Sequence, residues 1–152
     1  FHICVNTSKF KGLSILKSIE KNRKKHKKLC DDIRKSKIYF DWVGIYWMNY
    51  SNQTLELGVF SGTPTEHLSI PFGKGICGQV ALSGETLEIG NVKEEENYIA
   101  CSLETQSEIV VPIYKNGKLI GQLDIDSHSK NPFKPEDHVF LKNICRSIAA
   151  SI

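Results

Sequence analysis

Apolar positions along the chain change rhythm several times, and each change predicts an element. Leu13, Leu16 and Ile19 fall at the three-to-four spacing of one buried helical stripe, with Thr7 or Ser8 placed to cap its start. The run Lys21-Asn22-Arg23-Lys24-Lys25-His26-Lys27-Lys28 interrupts that stripe, and Leu29 and Ile33 resume it. One long or two short helices over about 9–35 are expected. From Tyr39 to Tyr50 aromatic and β-branched residues dominate, as in a strand. After Ser51-Asn52-Gln53, Thr54–Phe60 reads as its hairpin partner. A glycine-rich stretch, Phe72 to Gly78, leads into a short helix from Cys77 to about Leu82, which Ser83-Gly84 ends. Thr86–Ile89 is a short strand, and Asn91–Cys101 a loop with room for one helical turn. Glu108–Tyr114 and Lys118–Asp126 form the clearest hairpin, joined at Asn116-Gly117. Pro135 opens a last helix with Val139, Phe140, Ile144 and Ile148 on its expected buried face. This order predicts an α+β fold: a central antiparallel sheet with the N- and C-terminal helices packed on one face, rather than alternating βαβ units.

Length and composition narrow the class. The 152 residues suit a single domain that can build its own core, and 40% hydrophobic with 24% charged residues is ordinary globular usage. No apolar run approaches the ~20 residues of a membrane span, and no secretory signal pattern is visible. The chain begins at Phe1 rather than Met, which leaves an earlier segment open. The net charge of +3 hides a division. Residues 1–37 carry 12 Lys/Arg against 3 Asp/Glu, and residues 38–152 carry 8 against 14. A basic helical arm, 1–37, thus precedes an acidic body, 38–152, and that weakens a nucleic-acid-binding reading of the whole. The basic run lacks interleaved aromatics and reads as a solvated helix face or a helix–helix junction.

Five cysteines, at 4, 30, 77, 101 and 145, are an odd and widely spaced set. They fit neither a secreted disulfide framework nor the short spacing of a structural zinc site. A reducing, cytoplasmic compartment is expected, with cysteine chemistry of a redox or nucleophilic kind. Gly73-Lys74-Gly75 before a helix could cradle an anion, but it matches neither nucleotide-binding glycine frame. Cys77, in the first helical turn, would feel the positive end of the helix dipole; it could equally be a small buried apolar residue. Cys101 lies in a polar loop just before a strand, where a side chain can face a pocket mouth.

The last hairpin holds acids where strands disfavour them. Asp124 and Asp126 are two apart and share a face. Whether Glu108 joins them depends on register. A two-residue Asn116-Gly117 turn would set Glu108 across from Ile125, with Asp124 on the other face. A three-residue loop with Gly117 in the left-handed region would set it opposite Asp124, and this is the expectation. Three carboxyls on one face would repel, and at least one would hold its proton near neutral pH. A solvated edge hairpin is the alternative, and the spacing is not that of an EF-hand calcium loop. Trp42 and Tyr46, four apart on one strand, share a face and could wall a pocket or pack a core.

Taken together, Trp42 to Tyr46, Leu57 to Gly62, Ile70 to Gly78, Ile99-Ala100-Cys101, Ser107 to Ile113 and Gly121 to Ser127 resemble the GAF-domain family, from about Leu13 to the C-terminus. Within it they look most like the free methionine-(R)-sulfoxide reductases. The resemblance implies reduction of free methionine sulfoxide with Cys101 as nucleophile and Glu108, or one of the aspartates, as proton donor. Cys77 would resolve the resulting sulfenic acid as a Cys77–Cys101 disulfide, and a thioredoxin-like dithiol would reopen it. The remaining carboxylates among Glu108, Asp124 and Asp126 would bind the substrate ammonium group, and Trp42 and Tyr46 its S-methyl group. It implies no cofactor and no metal, a homodimer, no membrane partner and no nucleic acid. Many members carry a further resolving cysteine about ten residues before the glycine turn; here that segment reads Thr65-Glu66-His67-Leu68. A non-catalytic GAF sensor that binds a small metabolite is the rival reading.

Overall fold

A computed structural model describes residues 7–99 and 102–152. Two helices open it, α1 (Thr7–Lys21) and α2 (Arg23–Ser36), broken at Asn22. Then come β1 (Trp42–Asn49), β2 (Thr54–Ser61), β3 (Ser69–Pro71) and α3 (Gly75–Ser83). A short β4 (Leu87–Ile89) and a 3-10 turn (Val92–Glu94) lead to β5 (Ser107–Lys115), β6 (Lys118–Ser127) and α4 (Pro135–Ala150). The six strands form one antiparallel sheet in the order β3-β2-β1-β6-β5-β4. The three-residue β3 was not anticipated from its sequence.

Strand alternation sorts the side chains into two layers. On one face, Val43, Ile45, Ile109, Val111, Leu123 and Ile125 pack with Cys30 and Ile33 of α2 and with Leu141, Cys145 and Ile148 of α4. Each such buried aliphatic side chain contributes about 1.5–3 kcal/mol. On the other face, Trp42, Tyr46, Leu55, Ile70 and Val110 meet Ile76, Cys77 and Val80 of α3. The terminal helices therefore share a face as expected, while α3 covers the opposite one.

The phase of two helices differs from the sequence reading. In α4, Val139 and Phe140 are exposed, Ile144 is half-buried, and the buried face is Asp137, Leu141, Cys145, Ile148 and Ala149. Asp137 sets that phase. Its Oδ2 accepts the Lys134 backbone N–H at 2.9 Å and the Tyr39 hydroxyl at 2.7 Å, turning the helix about its first turn. Residues two apart lie on nearly opposite sides of a helix, so Val139 points away once Leu141 points in. In α1, Ile15 and Ile19 pack on the core, whereas Leu13 and Leu16 are exposed. Within the basic run, His26 is buried. Its Nε2 lies 2.9 Å from Ser151 Oγ, its ring is 5.9 Å from that of Trp47, and burial, with help from Lys25, lowers its pKa.

The β5–β6 hairpin corrects the expected register. Its turn has two residues, Asn116 (φ 50°) and Gly117 (φ 77°), with Lys115 paired to Lys118. A bulge between Ile113 and Tyr114 then shifts the ladder by one. Glu108 ends up opposite Asp126, and Val110 opposite Asp124. The three carboxyls still share a face, because turn and bulge offset each other in parity.

Candidate active site

The face beneath α3 is built from cross-strand rows. Trp42, Asp126, Glu108 and Ile89 form one row across β1, β6, β5 and β4; Gly44, Asp124, Val110 and Leu87 form the next; Tyr46, Gln122 and Pro112 follow. Glu108, Asp124 and Asp126 are all buried, in the interior of the sheet rather than on a solvated edge.

Cys77 reaches this row from above, from the first turn of α3 as its sequence position foretold. Gln122 Nε2 donates to the Cys77 carbonyl oxygen at 3.1 Å, and the Cys77 thiol lies 3.8 Å from Glu108 Oε1. Glycine makes the approach feasible. A side chain at Gly78 would meet the Pro71 carbonyl oxygen and the Gly73 backbone at 2.8–2.9 Å, so the turn could not fold against the helix. Asn97 ties the following loop to the same turn: its Oδ1 accepts the Gly75 N–H and its Nδ2 donates to the Gly73 carbonyl, both at 2.9 Å. That side chain occupies the first amide of α3, so the glycine-rich turn is not an open anion cradle.

Burial governs the acids. It pushes Glu108 well above the ordinary carboxyl range, and the negative charges of Asp124 and Asp126 and the hydrogen bond to Asp124 push it further; the Cys77 contact opposes the shift. Burial also raises Asp124, against the hydrogen bonds from Glu108 and Cys77. Both shifts run upward, and Glu108 has the additional push of its acidic neighbours. The expected raised pKa is present, with burial ahead of repulsion as its cause. The thiols on the other face have hydrocarbon around them instead, and burial pushes Cys30 and Cys145 up to about 12. They are packing residues.

Trp42 and Tyr46 lie in the same layer as Cys77. Trp42 Nε1 donates to the Thr63 carbonyl at 3.0 Å, its ring stacks on Phe60 at 5.7 Å, and its indole folds over Gly44. The Tyr46 hydroxyl donates to the His67 carbonyl at 2.8 Å. Cys101 lies outside the described residues, as does Ala100, so the expected Cys77–Cys101 pair is not part of this geometry. A cavity of about 10 Å³, lined by Ile70, Lys74, Gly75, Ile76, Cys77, Ile99 and Glu108, opens beside the thiol. It has the room of one water-sized guest. A larger cleft of about 240 Å³, between α4 and β5, contains none of the candidate residues.

Sequence reasoning missed Gln122, Asn97 and Gly44. Gln122 had a signal: it continues the 122, 124, 126 polar alternation on a strand that is otherwise apolar. Asn97 had none, because its role depends on a loop folding back 22 residues.

Comparison with known proteins gives the family and the fold. The family model for the GAF domain matches residues 29–152. The free methionine-R-sulfoxide reductase of Saccharomyces cerevisiae is 41% identical over 113 residues, which cover 73% of this chain and 62% of that protein, somewhat under two thirds of its length. The solved type II free methionine-R-sulfoxide reductase of Thermoplasma acidophilum superposes with a TM-score of 0.83 at 34% identity, covering 88% of this chain and 94% of that one. The Neisseria meningitidis free methionine-R-sulfoxide reductase, solved in complex with its substrate, gives a TM-score of 0.77 at 33% identity, covering 82% and 74%.

Proposed function

The chain belongs to the GAF-domain family, and we propose that within it this protein reduces free L-methionine (R)-sulfoxide to L-methionine. One observation carries the reading: a buried thiol, Cys77, 3.8 Å from a carboxyl, Glu108, that burial and two neighbouring acids push well above the ordinary carboxyl range. Attack of a thiolate on a sulfoxide sulfur needs a proton delivered to the oxygen, and a carboxylic acid held neutral near pH 7 is such a donor. The oxygen passes to sulfur, so the products are methionine and a cysteine sulfenic acid. A second thiol then attacks the sulfenic sulfur, releasing water and leaving a disulfide, which a thioredoxin-like dithiol reduces.

Asp124 and Asp126 give the substrate ammonium group its counter-charge in a dry site, where a peptide-bound residue, lacking that cation, has nothing to offset the buried charge. Trp42 and Tyr46 supply the apolar surface for the S-methyl group. Two thiols complete the cycle. Family resemblance gives attack to Cys101 and resolution to Cys77. Cys77, 3.8 Å from the proton donor Glu108, serves a cycle that runs in either order. With no cysteine at His67, no third thiol of that segment enters.

The deciding experiment is turnover of each epimer of free methionine sulfoxide with dithiothreitol and with thioredoxin. The reading expects the R epimer alone to be reduced. Absence of turnover with either reductant would leave a metabolite-binding GAF sensor. Trapping the sulfenic acid after a single turnover settles the thiol order: the attacking cysteine is the one whose replacement by serine abolishes the adduct.

A further inference from the structure

We propose that Cys77, Glu108 and Asp124 bind one thiophilic divalent cation of the zinc or cadmium kind, and that the bound ion blocks the site. One donor atom from each lies within 4.8 Å of the other two. Zinc bonds of about 2.3 Å to sulfur and about 2.1 Å to oxygen give a tetrahedral sulfur–oxygen edge of about 3.6 Å. The Cys77 Sγ to Glu108 Oε1 separation is already 3.8 Å. Asp124 is fully buried, and among the described residues its oxygens find partners within the cluster, Glu108 and Cys77, and no backbone or other side-chain donor. The cavity touching Cys77 and Glu108 has about 10 Å³, the room of a single small guest.

The donors sit on three rigid elements, α3, β5 and β6, and Gln122 holds the first of them to the last. Binding sends the protons of the Cys77 thiol and of the Glu108–Asp124 pair into solvent, and the dication offsets the negative charges this leaves in a dry site. A thiolate in the set selects zinc or cadmium over magnesium or calcium. Three protein donors leave the fourth position to water. The blocking part rests on the reductase reading of this site; the binding part does not.

The test is titration of the reduced, metal-free chain with cadmium, followed through the thiolate-to-metal charge-transfer band in the ultraviolet. One equivalent saturates the band, zinc displaces the cadmium, and excess magnesium or calcium does not. Cys101→Ser keeps the band and Cys77→Ser loses it. Asp124→Asn and Glu108→Gln, isosteric and checked for folding by thermal unfolding, weaken binding about tenfold or more, which carries the test should Cys77→Ser fail to fold. A band that survives Cys77→Ser, or an affinity unchanged in both isosteric variants, overturns the site. Turnover that persists in saturating zinc overturns the blocking. Cadmium bound at Cys77 in a chain with no turnover of methionine sulfoxide leaves the site standing and sinks the reductase reading alone.

Discussion

The two faces of the sheet use the same strand for opposite purposes. Leu123 and Ile125 of β6 point into hydrocarbon beneath α2 and α4, while Gln122, Asp124 and Asp126 point toward α3. Both layers bury cysteine. Among Leu141, Ile109 and their neighbours, Cys145 has nothing to stabilise a thiolate, and its pKa climbs to about 12. Cys77 is equally buried but has a proton-holding carboxyl against it. Burial among hydrocarbon alone leaves a sulfur with a strongly raised pKa, whereas Cys77 has a titratable partner within reach.

The contrast is broken most sharply by removing its reactive half. Cys77→Ser and Cys101→Ser should each lower steady-state reduction of methionine (R)-sulfoxide a thousandfold or more, about 4 kcal/mol of barrier. Glu108→Gln keeps the shape and loses the proton donor, so kcat should fall about 10²–10⁴-fold. On the other face, Ile125→Ala should leave that chemistry intact and cost about 2–5 kcal/mol of stability, read as a lower denaturant midpoint. An Ile125→Ala protein of unchanged stability would mean that the apolar layer is not the load on which the strand depends.

How much of this could be read from residues alone follows the same division. The antiparallel sheet, its strands apart from the short β3, and the shared face of Glu108, Asp124 and Asp126 follow from alternation, which is local. Glu108 lies on the expected face through a different register, since Asn116-Gly117 turns in two residues and a bulge near Ile113 restores parity. A bulge leaves little mark in residue types. The helical phases of α1 and α4 failed because their apolar residues spread over more than one face. Ile15 against Leu13, and Leu141 against Val139, are chosen by the sheet and by the Asp137 cap, which are tertiary facts. Likewise Asn97 bonds the Gly75 N–H and the Gly73 carbonyl, and Gln122 the Cys77 carbonyl, and no spacing predicts these backbone partners.

The acid cluster also leaves a mark on stability. Glu108 keeps its proton in the folded chain above the ordinary value of about 4.3, where the unfolded chain has lost it. Between those two values folding takes up a proton, so stability falls as pH rises, by up to about 1.4 kcal/mol per pH unit for one group. Asp124 shifts in the same direction. Glu108→Gln should flatten the slope above pH 5 and make the protein more stable near pH 7, even as it loses activity. Unfolding curves of the two proteins at several pH values check this, and parallel slopes would mean that Glu108 ionises normally.

The smallest effect sharpens the comparison most. Cys145→Ala and Cys77→Ala remove the same atom from two buried positions, 4% and 5% exposed. Each should cost about 1 kcal/mol in stability, since the lost volume is equal and the neighbours are close-packed. Their turnover should part company: unchanged for Cys145→Ala, abolished for Cys77→Ala. Cys145→Ala with impaired turnover at full folding would show that the apolar face reaches the chemistry through the sheet, and the two layers would then no longer be separable.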